Sequence, residues 1–269
     1  MRRQGKAADR KLRERLLEHL EVLRIPIEPP QLDETLARAE RDGLSYLELL
    51  DLLLGELARL RRERSIERRI RAARLAERKT LEEFDWEFNK KYIDRTQIEQ
   101  LATSEFVARR DNLIFVGQSG VGKSHLAQAI ALRACAHGHS VRYTTSGDLI
   151  VDLTSALADR TLPAKLRHYS RPALLVIDEF GFDRLERQET PESASLLYKV
   201  VDARHGRGSI LLVTNLDFDL WGEYLGDPPL SMALLDRLVY RATIIKIKKG
   251  ARSYRAASVR GRRERAEGV

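Results

Sequence analysis

Hydrophobic positions follow two different patterns along the chain. Over residues 10–79, leucines recur at helical spacing with one interruption at residues 25–30 (IPIEPP), and this predicts a small all-α domain. After residue 102, short apolar runs typical of buried strands alternate with helix-like segments. This alternation predicts an α/β core with a five-stranded parallel sheet, covered by helices on both faces. The strand-like runs are NLIFV (112–116), SVRYTT (140–145), ALLVID (173–178), SILLVTN (209–215) and ATIIKI (242–247).

The same patterns divide the chain into four segments. We predict a helical, basic N-terminal domain at residues 1–79, a linker at 80–102, an α/β core at 103–249 and a basic C-terminal tail at 250–269. Only about twenty residues follow the last predicted strand. Because a helical lid domain needs a longer segment, we expect no full lid domain.

A glycine-rich stretch, GQSGVGKS (117–124), lies between the first predicted strand and a helix predicted at 123–136. Its spacing fits the P-loop, in which backbone N–H groups and a helix N-terminus face phosphate oxygens. In such a loop Lys123 neutralises phosphate charge and the Ser124 hydroxyl binds Mg²⁺. The alternative is a glycine-rich turn with a surface lysine, which the strand–loop–helix order disfavours. The predicted nucleotide-binding residues are Gly117, Gln118, Ser119, Gly120, Val121, Gly122, Lys123, Ser124 and His125.

Polar residues end the third and fourth predicted strands. Asp178 and Glu179 follow a buried apolar run, and ligands bind at the carboxyl ends of strands in open α/β sheets. We therefore expect Asp178 to hold the magnesium shell and Glu179 to orient or deprotonate an attacking water. Asn215 is a candidate to hydrogen-bond that water or a γ-phosphate, although its own sequence context alone favours a turn or a helix cap.

Three further aromatic and basic positions carry expectations. We interpret Trp86 as a packing or anchoring aromatic, and Phe84 and Trp86, in the predicted linker, are also candidates to border an adenine ring. Residues 231–238 (SMALLDRL) predict a helix with Met232, Leu235 and Leu238 on its apolar face and Arg237 off that face.

The net charge of +8 is unevenly distributed. Basic residues dominate 59–79 and 237–269, whereas the middle of the chain is acidic overall. Basic flanks are expected where a protein contacts a polyanion, and solvated helix faces are the alternative explanation. If the flanks bind duplex DNA, the absence of a zinc finger or another base-reading motif predicts binding that is largely independent of sequence.

Cysteine usage and hydropathy limit the compartment. The single cysteine, Cys135, excludes a disulfide framework and cysteine-rich zinc sites within the chain. No apolar run is long enough to span a bilayer. We expect a cytoplasmic protein that does not associate with membranes.

The motifs GQSGVGKS, LLVIDEFG (174–181), LLVTN (211–215) and MALLDRLVYRATII (232–245) occur in an order and spacing that resemble the IstB-like ATPases. These are helper proteins of insertion-sequence transposition, in the AAA+ branch that includes the DnaA initiator and the DnaC helicase loader. The resemblance covers nearly the whole chain. It implies an AAA+ core that hydrolyses ATP with Mg²⁺, assembles as a homo-oligomer on DNA and directs a transposase to its target. It also implies that Arg237 is an arginine finger at ATP sites between subunits.

One departure from the family and two alternative functions accompany this resemblance. The sequence GARSYR (250–255) has one residue more than the family's Gly-x-Ser-Tyr-Arg, so no nucleotide-sensing role is assigned to Arg255. A helicase loader acting on single-stranded DNA has the same core motifs, but the basic flanks favour a protein that assembles along DNA. A small-molecule P-loop kinase needs an acceptor site and usually a lid, and the Asn215 and Arg237 pattern is not expected there.

Overall fold

The computed structural model describes residues 2–25, 27–182, 192–248 and 250–254, with side chains described from residue 10 onward. The chain divides into two compact units, Met1–Glu67 and Arg68–Val269, and the boundary between these ranges falls within the third helix. Arg255 and most of the predicted basic tail lie outside the described residues. None of the helices described is both long and apolar enough to cross a membrane.

The N-terminal unit is helical, as predicted. It contains α1 (Arg2–Val22), α2 (Pro29–Asp42) and the first part of α3 (Tyr46–Ala73). Helix α3 begins with a capping box, in which the Ser45 Oγ accepts from the Glu48 N–H and the Ser45 N–H donates to the Glu48 carboxylate.

The second unit alternates strands and helices. Its strands are β1 (Asn112–Val116), β2 (Val141–Thr145), β3 (Leu174–Phe180), β4 (Ser209–Thr214) and β5 (Ala242–Lys246). Its helices, among the residues described, are α4 (Arg95–Leu101), α5 (Glu105–Arg109), α6 (Lys123–Ala136), α7 (Ser146–Ala158), α8 (Leu162–Ser170), α9 (Ser193–Arg204), α10 (Trp221–Leu225) and α11 (Pro228–Val239).

The five strands form one parallel sheet in the order β2-β3-β4-β1-β5, which confirms the predicted fold class. Side chains alternate across it, as the strand period requires. In β1, Leu113 and Phe115 pack in the layer that contains α6, whereas Ile114 and Val116 pack in the layer that contains α7, α9 and α11. The sheet is thus buried on both faces, which explains why its strands are continuous apolar runs.

Residues that precede the first strand belong to the hydrophobic core of this unit. Leu81, Ile93, Ile98 and Leu101 are buried in the same layer as α6. The residues described after β5 do not form a helical lid domain. The carboxyl end of β1 is flanked by the segment before the sheet and by the segment after it.

Candidate functional site

Most of the predicted site residues line one cavity at the carboxyl ends of β1, β3 and β4. The cavity has a volume of about 670 Å³, within the usual range for small-molecule sites. Asp178, Glu179 and Asn215 line it together with residues 119–125 of the glycine-rich loop. Gly117 and Gln118 lie beneath the loop, where their carbonyl groups accept hydrogen bonds from Lys123.

The loop conformation depends on glycine at specific positions. Gly120 and Gly122 have φ angles of 81° and 104°, a region that side chains with a Cβ rarely adopt. A Cβ on Gly122 would lie 2.7 Å from the Phe84 ring. Helix α6 begins at Lys123, so its N-terminal N–H groups and its positive dipole end face the cavity.

Lys123 is folded back onto its own loop. Its ammonium group donates to the carbonyl oxygens of Gly117 at 2.6 Å and Gln118 at 2.9 Å, and the residue is 7% exposed. The charge is thereby held at the base of the loop, next to the start of α6. From this position the side chain can reach phosphate oxygens by rotation alone, since its stem is flexible.

Ser124 and Asp178 bring a hydroxyl and a carboxylate together at the edge of the loop. The Ser124 hydroxyl donates to Asp178 Oδ1 at 3.0 Å, and the Glu179 N–H donates to the same oxygen at 2.8 Å. The other oxygen of Asp178 accepts from the Tyr143 hydroxyl at 2.8 Å. Burial and the neighbouring Asp178 charge raise the pKa of Tyr143, so this tyrosine remains a hydrogen-bond donor.

The two adjacent acids have different environments because the backbone changes direction between them. Asp178 is 2% exposed, whereas Glu179 is exposed and has a φ of 61° next to an irregularity in the β3–β4 pairing. A left-handed φ at a residue other than glycine is energetically unfavourable and clusters at functional sites. Here it directs consecutive carboxylates to different positions around one cavity.

Close packing brings the ends of β3 and β4 together. A Cβ on Gly181 would lie 2.5 Å from Leu216 Cδ1 and 3.0 Å from the side-chain oxygen of Asn215. Gly181 therefore permits the exposed Asn215 to approach the turn that follows Glu179. The amide and the carboxylate line the same cavity, as predicted.

The expectations for the aromatic residues divide. Phe84 lines the cavity and makes an edge contact with His125, whose Nε2 is 2.7 Å from the Thr80 carbonyl oxygen. Trp86 packs on Phe84 but lines a different cavity, because its indole N–H donates to the Leu81 carbonyl and turns the ring away. Of the two aromatic residues, Phe84 lines the cavity that contains the P-loop and Trp86 does not.

A segment after β5 contacts the loop, and sequence reasoning missed it. We call residues 250–254 the C-terminal strap. The Tyr254 N–H donates to the Gly120 carbonyl at 2.9 Å, and the Gln118 amide donates to the Ala251 carbonyl. The strap is also held by Asn89, which donates to the Arg252 carbonyl and accepts from its N–H, both at 3.0 Å. The strap belongs to the GARSYR stretch that the sequence singles out, but the sequence does not indicate this contact, since its partners are far apart in the chain.

Arg237 lies outside the cavity. Its guanidinium donates to Asp202 at 2.6 Å, which raises its pKa, and it stacks over the Tyr198 ring at 5.2 Å. The carbonyl of Arg237 accepts from Asn112, the first residue of β1, whereas the P-loop follows the last. Five residues of strand separate the two ends by about 13 Å.

The residues present fit a magnesium–nucleotide complex. Hydroxyl and carboxylate oxygens are the ligands that Mg²⁺ prefers. No group of three or more His, Cys, Asp and Glu with metal-binding geometry occurs among the described residues. Glycine at 120 and 122 is also required by close packing, because a Cβ would collide with Ser253 at the first position and with Phe84 at the second.

The sheet order, the P-loop at the end of β1 and the acidic pair at the end of β3 define a P-loop core of the AAA+ class. A solved structure of DnaI matches this fold with a TM-score of 0.52 and 21% identity, over 64% of this chain and 92% of that one.

Sequence comparison gives the family. The model of the IstB-like ATP binding proteins matches residues 19–261, and the chain belongs to this family. It is 34% identical to the ATP-binding protein of insertion sequence IS5376 from Geobacillus stearothermophilus, over 94% of this chain and 98% of the relative. It is 37% identical to the ATP-binding protein of IS21 from Pseudomonas aeruginosa, over 83% of this chain and 82% of that protein. The predicted resemblance is thus confirmed.

Proposed function

We propose that this protein is an ATP-hydrolysing regulator that assembles on duplex DNA and recruits or activates the transposase of its insertion sequence. The convergence of the P-loop, Asp178, Glu179 and Asn215 on one cavity carries the ATPase part of this proposal. The names of its relatives, which are ATP-binding proteins of insertion sequences, support the link to transposition.

Each residue of the cavity has a distinct proposed role. Ser124 and Asp178 hold Mg²⁺, which neutralises phosphate charge when it is bound. Lys123 exchanges its two carbonyl contacts for phosphate oxygens and keeps its positive charge throughout. Glu179 orients the attacking water and accepts its proton, and Asn215 donates to the water or to the γ-phosphate.

Substitution of Lys123 and Glu179 tests the ATPase assignment. Lys123→Ala removes the phosphate contact, so ATP affinity should fall at least tenfold. Glu179→Gln keeps the shape of the side chain without its basicity, so ATP should bind normally while turnover falls by about 100-fold or more. Both quantities are measured on the purified protein with Mg²⁺ present.

Two exposed residues outside the cavity provide matched controls. Lys199→Ala and Glu223→Gln make the same chemical changes on α9 and α10 and should leave affinity and turnover unchanged. Wild-type ATP affinity in the Lys123 variant, or full turnover in the Glu179 variant, contradicts the assigned roles.

The transposition role is tested by partner binding. The protein should retain the transposase encoded by the same insertion sequence when both are assembled on duplex DNA with ATP. Binding to a replicative helicase instead, with a preference for single-stranded DNA, would identify a helicase loader and refute the proposal.

A further inference from the structure

A second concave surface of the ATPase unit lies at the starts of the strands. It is bounded by Ser140, immediately before β2, by the residues that precede β3, and by the C-terminal part of α8. The P-loop follows the carboxyl end of β1. This surface therefore lies at the opposite ends of the parallel strands. We call it the β2–α8 groove, and its volume is about 980 Å³.

Positive side chains dominate the groove. Arg142, Arg167, His168 and Arg171 line it, and no aspartate or glutamate of the described residues does. Arg167 and Arg171 are exposed, and neither forms an ion pair within the described part of the chain. Two arginines on one helical turn and its cap thus present uncompensated charge to one open groove.

The surroundings of His168 show that more positive charge lies close by. Burial, together with the charges of Arg142, Lys165 and Arg74, lowers the pKa of His168, while Asp152 acts in the opposite direction. The positive charge that faces the groove therefore comes from its arginines. Arginine side chains remain charged at every physiological pH.

Arg142 is held in place but retains an unused donor. Its guanidinium lies 6.0 Å from the centre of the Tyr169 ring, and its buried Nε has no hydrogen-bond partner among the described residues. The nearby carboxylate of Asp152 already accepts from the Tyr169 hydroxyl at 2.6 Å and from Lys165 at 3.1 Å. A buried donor without a partner is uncommon in folded proteins.

We propose that the β2–α8 groove binds the phosphate backbone of duplex DNA. This inference rests on the proposed function and adds to it a contact surface on the ATPase core, separate from the basic flanks. Arginine suits phosphate because its planar fork donates two parallel hydrogen bonds. Ala72, in the last turn of α3, also lines the groove.

The position of the groove separates DNA binding from ATP chemistry. Because the two sites lie at opposite ends of the strands, duplex DNA in the groove does not compete with nucleotide in the cavity. Substitutions in the groove should therefore leave ATP turnover without DNA unchanged, which provides an internal check that the variant protein is folded.

The test is the salt dependence of binding to a labelled duplex of arbitrary sequence, about 30 base pairs long, measured by fluorescence anisotropy. The variant carrying Arg167→Gln and Arg171→Gln loses two phosphate contacts. The slope of log affinity against log salt should then decrease in magnitude by about 1.8, since each contact contributes about 0.9. At low salt the affinity should fall on the order of tenfold or more.

Two further variants separate charge from structure. Arg167→Lys with Arg171→Lys keeps both charges and should retain most of the slope. Lys91→Gln with Lys199→Gln removes two exposed charges outside the groove and should leave the slope unchanged.

Each other outcome rejects a defined part of the proposal. Wild-type slope in the double glutamine variant overturns the groove and leaves the proposed function intact. Equal loss in the Lys91 and Lys199 control also overturns it, because the effect is then one of net charge. Loss of affinity for single strands but not for the duplex overturns the choice of ligand. Absence of duplex binding by the wild-type protein overturns both the groove and the proposed function.

Discussion

Asp178 illustrates how one residue is prepared for a role that its sequence context only suggests. Its two carboxylate oxygens accept from Ser124, from the Glu179 backbone and from Tyr143. Three donors restrict rotation of the carboxylate. Ser124 belongs to the P-loop and Glu179 to the acidic pair. Of the three donors, only Tyr143 lies outside both motifs.

Removal of the Tyr143 hydroxyl should weaken magnesium binding without affecting nucleotide binding. The Tyr143→Phe variant leaves Asp178 Oδ2 without its donor, so the carboxylate is oriented less precisely. Loss of such a supporting contact typically costs about 10-fold to 100-fold in metal affinity or activity. We expect ATP turnover to require more Mg²⁺, while ATP affinity without the metal stays the same.

Tyr169→Phe is a closely matched control. Tyr169 is also buried, its hydroxyl also donates to a carboxylate, that of Asp152, and burial raises its pKa to about 12. Its substitution should leave the magnesium dependence of turnover unchanged. The same magnesium dependence in Tyr143→Phe and in the wild type would reject the positioning role.

At the residue scale, a site can be predicted from the sequence when its residues are adjacent in the chain. Residues 117–125 are recognisable because their spacing alone defines the loop. Tyr143 lies on a different strand from Asp178, and its contact depends on β2 being the neighbour of β3, which the chain order does not specify. The helix around Arg237 shows the same limit. Met232 is 68% exposed while Leu234 is buried, so the predicted apolar face was wrong at Met232 because the packing direction was unknown.

At the scale of elements, the C-terminal strap joins two segments that are far apart in sequence. Asn89 pairs with both backbone groups of Arg252, and the guanidinium of Arg252 stacks over Phe88 at 4.6 Å. The same strap contacts the P-loop at Gln118 and Gly120. The conformation of the loop is therefore coupled to the segment that precedes the sheet. Hydrophobic patterning did not predict this coupling, because polar groups and backbone form it.

Substitution of Asn89 should weaken both the fold and nucleotide binding. Asn89 is 5% exposed, and Asn89→Ala leaves two backbone groups of the strap without partners. This should lower the free energy of unfolding by about 1–3 kcal/mol. Since the strap supports the P-loop, ATP affinity should also fall, on the order of a few-fold. Chemical denaturation and an ATP titration measure the two effects.

Graded and neutral variants identify the cause. Asn89→Ser keeps a side-chain oxygen and a hydroxyl donor on a shorter stem, so its effect should be no larger than that of alanine. Gln97→Ala, at an exposed position on α4, should change stability by less than about 0.5 kcal/mol. If ATP affinity stays at the wild-type value while stability falls, the strap is structural only.

At the scale of the whole molecule, the sheet separates three surfaces. The nucleotide cavity occupies the carboxyl ends of the strands, whereas the β2–α8 groove and Arg237 lie at the starts. Arg237 is therefore too far from the P-loop of its own chain to contact the same nucleotide. Its pairing with Asp202 and Tyr198 holds the guanidinium half-exposed at the surface, where another subunit is able to approach it.

We expect Arg237 to act on the nucleotide of a neighbouring subunit, so that hydrolysis depends on assembly. An arginine supplied in trans stabilises charge on the transferring phosphoryl group and is worth about a thousandfold or more in rate. Arg237→Ala should leave ATP affinity of the isolated protein unchanged and abolish turnover stimulated by DNA.

A mixture of Arg237→Ala with Lys123→Ala should recover part of the activity, since some interfaces then combine an intact P-loop with an intact arginine. Lys123→Ala mixed with Glu179→Gln provides the control. In that mixture every subunit keeps Arg237, but every cavity lacks either Lys123 or Glu179. No interface is then complete, so the mixture should remain inactive. Normal turnover of Arg237→Ala on DNA would leave the residue with its observed role, an ion pair to Asp202 on the surface of one subunit.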